Sequence, residues 1–129
     1  ASDVYKRQLL ADDEKINLTI LTKQLNRYKL KVTSVNNGED LLKKYSNNHN
    51  DYDIIISDII MKNTSGNQAI EQIRKFEKQN NIKHIPIISY SADSEKSKIH
   101  KTLRKGANDH FQKGGKIEEL VNKIVFLLK

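Results

Sequence analysis

Cysteine is absent from the 129 residues, so no disulfide holds the fold, and thiol chemistry and a cysteine–zinc site are both excluded. No apolar run approaches the length needed to cross a bilayer, and no short apolar core of a secretory leader precedes the first charged residues. A glycine-rich phosphate loop, a G-x-S-x-G elbow and a H-E-x-x-H helix are all missing, which removes several common enzyme classes. Proline occurs once, at Pro86. Of the four histidines, His49, His84 and His100 read as loop or surface residues, and only His110 falls near a polar strand end.

What is present is a charged chain of single-domain size, 36% hydrophobic and 30% charged, long enough to bury one sizeable core. A net charge of +7 and a pI near 9.5 raise nucleic acid as a partner. The lysines are scattered through every helical segment, however, and only three Phe and five Tyr are available to stack on bases. A solvated lysine-rich surface fits that distribution better. A basic, non-catalytic module that binds nucleic acid or protein is the alternative reading.

The chain is organised around Ile54-Ile55-Ile56-Ser57-Asp58. A short β-branched run predicts a strand buried on both faces, as in a parallel sheet. Asp58 stands where that run gives out, and a carboxylate there is costly unless a cation, hydrogen bonds or water meets it. Leu9-Leu10-Ala11 forms a similar run that ends in Asp12-Asp13-Glu14. Leu30 to Val35 and Ile85 to Tyr90 predict two further strands, the latter with its proline near the start, and Asp109 to Gln112 a weaker fifth.

Between them lie five helical patterns. Leu18, Leu21, Leu25 and Tyr28, with Ile20 beside them, mark the first, and Leu41, Leu42 and Tyr45 the second, after an Asn36-Asn37-Gly38 turn. Ala69, Ile70, Ile73 and Phe76 mark the third, capped by Thr64 or Ser65. Ser91 to Glu95 opens a highly charged fourth with a thin stripe of Ile99 and Leu103, which Gly106 stops. Ile117, Leu120, Val121, Ile124 and Leu128 form the last, with Phe126 pointing away from that stripe.

Strands alternating with helices predict an α/β fold whose parallel sheet is covered on both faces. In such sheets ligands bind beyond the carboxyl ends of the strands. Asp12 and Asp13 follow strand one, Asp58 strand three, Ser91 strand four and Lys113 strand five, so all reach one edge. Two like charges about 4 Å apart cost roughly 4 kcal/mol at an effective dielectric near 20. Converging carboxylates therefore call for a hard divalent cation, and all-oxygen ligation with room for water points to Mg²⁺. Capping of the first helix accounts equally well for one of Asp12 and Asp13, capping of the fourth for Ser91, and simple surface exposure for Lys113. Taken together at successive strand ends, they suit phosphoryl chemistry. Asp58 would be the nucleophile, Lys113 and the metal would neutralise charge, and Ser91 would donate a hydrogen bond.

From Lys6 to Leu128 the chain resembles the response-regulator receiver domain of two-component phosphorelays. The resemblance rests on Leu9 to Asp13, on Asp58 with Met61 to Gly66, on Ile87 to Ala92, and on Gly106 to Lys113. It implies a five-stranded sheet of order 2-1-3-4-5 and one receiver domain over 6–129, with 1–5 a linker remnant. It also implies Mg²⁺ held by Asp13, Asp58 and the Ile60 carbonyl, with Asp12 acting through water. Ser91 and His110 fall at the family's switch positions, read out on the face of helix four, strand five and helix five, where a homodimer would also form. The implied donor is the phosphohistidine of a histidine kinase or phosphotransfer protein, in the cytoplasm, with no contact to membrane or nucleic acid. Such a domain promotes its own phosphorylation and dephosphorylation and is no free-standing enzyme. Asp-Asp-Glu followed by Asn17 is similar to receivers attached to hybrid histidine kinases, whose parent chain can be membrane-anchored.

Two positions depart from the family. Lys62 and Gly114 stand where proline is usual. A non-proline cis peptide costs about 2.5–4 kcal/mol, so Lys113–Gly114 is expected trans, with a loosened Lys113. Ile60 carries no polar group to steer water at phosphorus, which predicts slow hydrolysis.

Overall fold

The computed structural model describes residues 6–61, 64–92 and 95–129. Five strands, β1 (Arg7–Ala11), β2 (Lys31–Val35), β3 (Ile54–Asp58), β4 (Ile87–Ser91) and β5 (Asp109–Gln112), form one sheet of order 2-1-3-4-5 in which every pairing is parallel. Helices α1 (Lys15–Asn26), α2 (Gly38–Asn48), α3 (Gly66–Gln79), α4 (Lys96–Lys105) and α5 (Ile117–Leu127) connect them. The expected fold class and strand order are both met. Residues 1–5 and Lys62 lie outside the described residues.

The apolar runs explain the layering. All five residues of β3 are buried, as are all five of β4. Alternate side chains enter two separate cores. Leu9, Ile55 and Ile87 meet Leu41, Ile70 and Ile73 from α2 and α3, while Leu10, Ile56 and Ile88 meet Leu25, Leu120 and Ile124 from α1 and α5. Each fully buried aliphatic side chain contributes about 1.5–3 kcal/mol, so the sheet is rigid where its strand ends carry the polar residues.

Local signals set the helix starts. Asn37 accepts the Asp40 N–H at 2.7 Å to open α2. Ser65, not Thr64, caps α3 in a reciprocal box with Gln68. Gly66 follows because nothing larger fits, since a Cβ there would stand 2.0 Å from the Asp58 carbonyl oxygen. The start of α3 is thereby packed directly under the end of β3.

Some helix expectations are corrected. α1 ends at Asn26, so Tyr28 is not part of its buried stripe and instead points its hydroxyl at Glu118, 3.3 Å away. Ile20 is exposed. Ser91 is the last residue of β4 and not the cap of α4, which starts later, after Glu95. In α4 the buried position is Thr102, with Leu103 at the margin of exposure, because a helix on the sheet's edge covers too little surface to bury a full stripe. α5 behaves as expected, with Leu120 and Ile124 inside and Phe126 68% exposed.

Candidate functional site at the carboxyl edge of the sheet

Register brings the site together. Asp58 is opposite Tyr90, and Tyr90 is opposite Phe111, while Ala11, just before Asp12, is opposite Ser57. Asp12, Asp58 and Tyr90 therefore stand at similar height at the carboxyl ends of neighbouring strands. Carboxylate oxygens of Asp12, Asp13 and Asp58 all lie within 4.8 Å of one another. Asp12 is 0% exposed and Asp58 3%.

Among the described residues, one ammonium serves this cluster. Lys113 Nζ lies 2.8 Å from Asp58 Oδ2 and 3.6 Å from Asp12 Oδ2. The other Asp58 oxygen accepts the Ile60 N–H at 3.2 Å. Asp12 is held on both oxygens, by the Glu14 N–H at 2.9 Å and by the Tyr90 hydroxyl. Above these groups is an open cleft of about 770 Å³ lined by Asp13, Glu14, Asp58, Ile60, Ser91, Ala92 and Lys113.

The electrostatics follow from that arithmetic. Burial pushes the Asp58 carboxyl up to about 6, and Asp12 adds to the rise, while the Lys113 and Ile60 hydrogen bonds act against it. For Lys113, burial acts downward but is outweighed by the hydrogen bond and charge of Asp58, with Asp12 and Glu14 behind them, so its net direction is up. The two directions agree physically. One shared cation satisfies itself among several anions, yet cannot fully compensate each of them. Burial, then the bond to Asp12, also pushes the Tyr90 hydroxyl up.

The expected residues are distributed as follows. Asp12, Asp13, Asp58, Ser91 and Lys113 share the edge, and Ser91 presents its backbone carbonyl to the Lys113 N–H at 2.7 Å. Ile60 stands at the mouth with its side chain 71% exposed. His110 belongs to the opposite side-chain row. Its Nδ1 meets Ser89 Oγ at 3.0 Å, its Nε2 is buried without a partner among the described residues, and burial lowers its basicity. The Lys113–Gly114 peptide is trans as expected, and Gly114 takes a left-handed φ of 85°. The Lys113 ammonium lies against the Asp58 and Asp12 carboxylates. Sequence reasoning missed Tyr90, whose place in an apolar strand conceals a hydroxyl aimed at Asp12. The available signal was its position beside Ser91, but only the β3–β4 register shows that it faces Asp58.

Known proteins share this architecture. A family model described as the response regulator receiver domain matches residues 9–125. The peroxide stress-activated histidine kinase mak2 of Schizosaccharomyces pombe is 33% identical over 121 residues, which cover 92% of this chain and 5% of the kinase. The two-component response regulator ARR2 of Arabidopsis thaliana is 34% identical over 116 residues, covering 90% of this chain and 17% of that protein. The structure of the Saccharomyces cerevisiae histidine phosphotransfer signaling protein Ypd1 with the receiver domain of its downstream response regulator Ssk1 contains a chain that superposes with a TM-score of 0.86. That chain is 27% identical, and the match covers 95% of this chain and 88% of that one. The present chain thus spans a small part of its curated relatives, and among the described residues no helix is long and apolar enough to cross a membrane. With a family match over most of its length, and a fold that superposes on a solved receiver domain, the chain belongs to the response regulator receiver domain family.

Proposed function

We propose that Asp58 accepts a phosphoryl group from a phosphohistidine donor, with Mg²⁺ required. The observation that carries this is the buried Asp58 carboxylate, 2.8 Å from the Lys113 ammonium and within 4.8 Å of two further carboxylates at the mouth of an open cleft. An Asp58 oxygen attacks phosphorus, an acyl phosphate O–P bond forms, and the P–N bond to the donor imidazole breaks. The imidazole leaves with the bonding electron pair and takes up a proton from solvent. Lys113 stands where it can neutralise a phosphoryl oxygen, and the Ser91 hydroxyl is suited to donate to another.

The donor set fits a hard divalent cation, because it is all oxygen and carries more negative charge than Lys113 cancels. Asp13, Asp58 and the Ile60 carbonyl would hold the ion, with Asp12 acting through water. When bound, the ion supplies charge neutralisation for the transferring group. Asp12, already committed to two protein donors, suits the indirect role.

Ser91 and His110 then act as the switch, read out on the α4–β5–α5 face, which would also serve a homodimer. The donor is the histidine of a kinase or phosphotransfer protein. Ile20 is exposed on α1 and lines a groove of about 270 Å³ that ends at Lys113 and Gly114, and with exposed Ile16 it gives such a partner an apolar footing beside the acceptor. Ile60 offers attacking water no polar guide, so the phosphoryl group is held for long. The domain works in the cytoplasm, as part of a hybrid histidine kinase or response regulator.

Incubation with a radiolabelled phosphohistidine phosphotransfer protein tests this. Label should move to this chain, survive mild acid and not base, and be lost in Asp58→Asn or in EDTA. Transfer that persists in Asp58→Asn would contradict the assignment.

A further inference from the structure

Tyr90 is 3% exposed, and a buried tyrosine hydroxyl needs a partner. Its partner is Asp12 Oδ2, at 2.5 Å, and the second Asp12 oxygen is taken by the Glu14 N–H. The same ring lies under Lys113, with Nζ 5.0 Å from its centroid. One side chain therefore touches both a fully buried carboxylate of the site and the Lys113 ammonium. The backbone at Lys113 is held by the Ser91 carbonyl at 2.7 Å and by the Gly115 N–H to the Gln112 carbonyl at 3.1 Å, but neither contact reaches the lysine side chain. Gly114 is left-handed, and no atom lies within 4 Å of where its Cβ would be.

We infer that Tyr90 is a positioning residue. Its hydroxyl fixes Asp12, its ring carries the Lys113 ammonium, and together they aim the Lys113 side chain at Asp58 from strand β4. The inference rests on the phosphoacceptor reading of Asp58. Without the hydroxyl, Lys113 is the remaining side-chain donor to Asp12 Oδ2 among the described residues, which draws the ammonium away from Asp58. Without the ring, the ammonium also loses the aromatic face beneath it.

Two variants separate these contributions from packing. Tyr90→Phe keeps the ring and its volume, and Tyr90→Leu removes both polar and aromatic contacts. With acetyl phosphate and saturating Mg²⁺, Tyr90→Phe should label about tenfold more slowly than the parent, the loss typical of one hydrogen bond to a charged group. The concentration of acetyl phosphate giving half-maximal rate should stay the same. Tyr90→Leu should slow at least as much and also broaden the Lys113 ammonium signal in ¹⁵N NMR. A Tyr90→Phe rate within about twofold of the parent, less than one such hydrogen bond is worth, overturns the inference. So does a Lys113 signal in Tyr90→Leu as sharp as the parent's. Should either variant fail to fold, the parent itself decides. A Tyr90 hydroxyl proton protected from exchange supports the inference, and one exchanging at the bulk rate overturns it. If the parent takes no label at all, the phosphoacceptor reading fails, while the NMR measurements still decide whether Tyr90 holds Lys113.

Discussion

The two edges of the sheet both bury carboxylates, and they treat them differently. Where the strands begin, Glu77 of α3 is 0% exposed, and its carboxylate accepts from three donors. Arg74 Nη1 lies at 2.8 Å, the Tyr45 hydroxyl at 2.7 Å and the Ile85 N–H at 2.8 Å. Arg74 goes on to the Gly106 carbonyl and Asn108, and Asn108 accepts the Ile87 N–H, so α2, α3, the end of α4 and the start of β4 are tied together. Where the strands end, Asp12 and Asp58 share the Lys113 ammonium, and Asp13 lies close to both without pairing with it among the described residues. A satisfied buried charge organises a fold, whereas an unbalanced one costs stability and is kept for chemistry.

The largest expected effect comes from breaking the balanced edge. Glu77→Ala strands the Tyr45 hydroxyl and the Ile85 N–H and leaves the Arg74 guanidinium without its carboxylate. Urea unfolding should show a loss of about 3–5 kcal/mol, typical of a broken buried pair. Loss below about 1 kcal/mol, the range of an exposed pair, would mean that solvent reaches the network.

The unbalanced edge should respond with the opposite sign. Asp58 has its carboxyl raised from 3.8 to about 6 by burial, so the folded state binds this proton more tightly than the unfolded chain does. The penalty for ionising it is absent at low pH, grows as pH rises through that window and is complete above it. In EDTA at neutral pH, Asp58→Asn should therefore be more stable than the parent, by up to about 3 kcal/mol. The gain should vanish as pH falls toward the ordinary carboxylate value. A variant less stable than the parent at neutral pH would show that Asp58 is adequately compensated.

Arg7–Asp53 sharpens the comparison from the exposed side. It lies at the balanced edge, with the guanidinium at 3.3 Å and the Arg7 N–H at 2.8 Å, but both side chains are partly in water. Burial acts to raise the Asp53 carboxyl, yet the Arg7 hydrogen bonds and charge outweigh it and the net direction is down. That stability is present above the ordinary carboxylate range and is lost as pH falls below it, the reverse of Asp58. Asp53→Asn should cost no more than about 1 kcal/mol at neutral pH, and less in high salt. A cost equal to that of Glu77→Ala would make pairing, and not burial, the governing variable.

The strands and most of the carboxylate cluster are legible in the sequence because both depend on short-range pattern. Ile54-Ile55-Ile56 ends abruptly at Asp58, and Leu9-Leu10-Ala11 at Asp12, so each acid marks its own strand end. The balanced edge is much less legible. Glu77 follows Ile70 and Ile73 at helical spacing and thus faces inward, but its charge reads as solvent-exposed until Arg74 and Tyr45 are placed beside it. Tyr90 is hidden for a different reason. A tyrosine in an apolar strand is ordinary, and its tie to Asp12 spans 78 residues, a relation set by register and not by local composition. Leu103 fails the other way, since periodicity marks the apolar face of α4 without saying how little of the sheet edge there is to cover it.

The most direct test of the unbalanced edge is the intact mass of the chain after incubation with acetyl phosphate, with and without Mg²⁺. The parent should gain the mass of one phosphoryl group only when Mg²⁺ is present, with the modification mapped to Asp58, while Asp58→Asn gains none and Glu77→Gln, still folded, gains it as the parent does. A parent that stays unmodified in Mg²⁺, or an Asp58→Asn variant that gains the phosphoryl mass, would contradict the account.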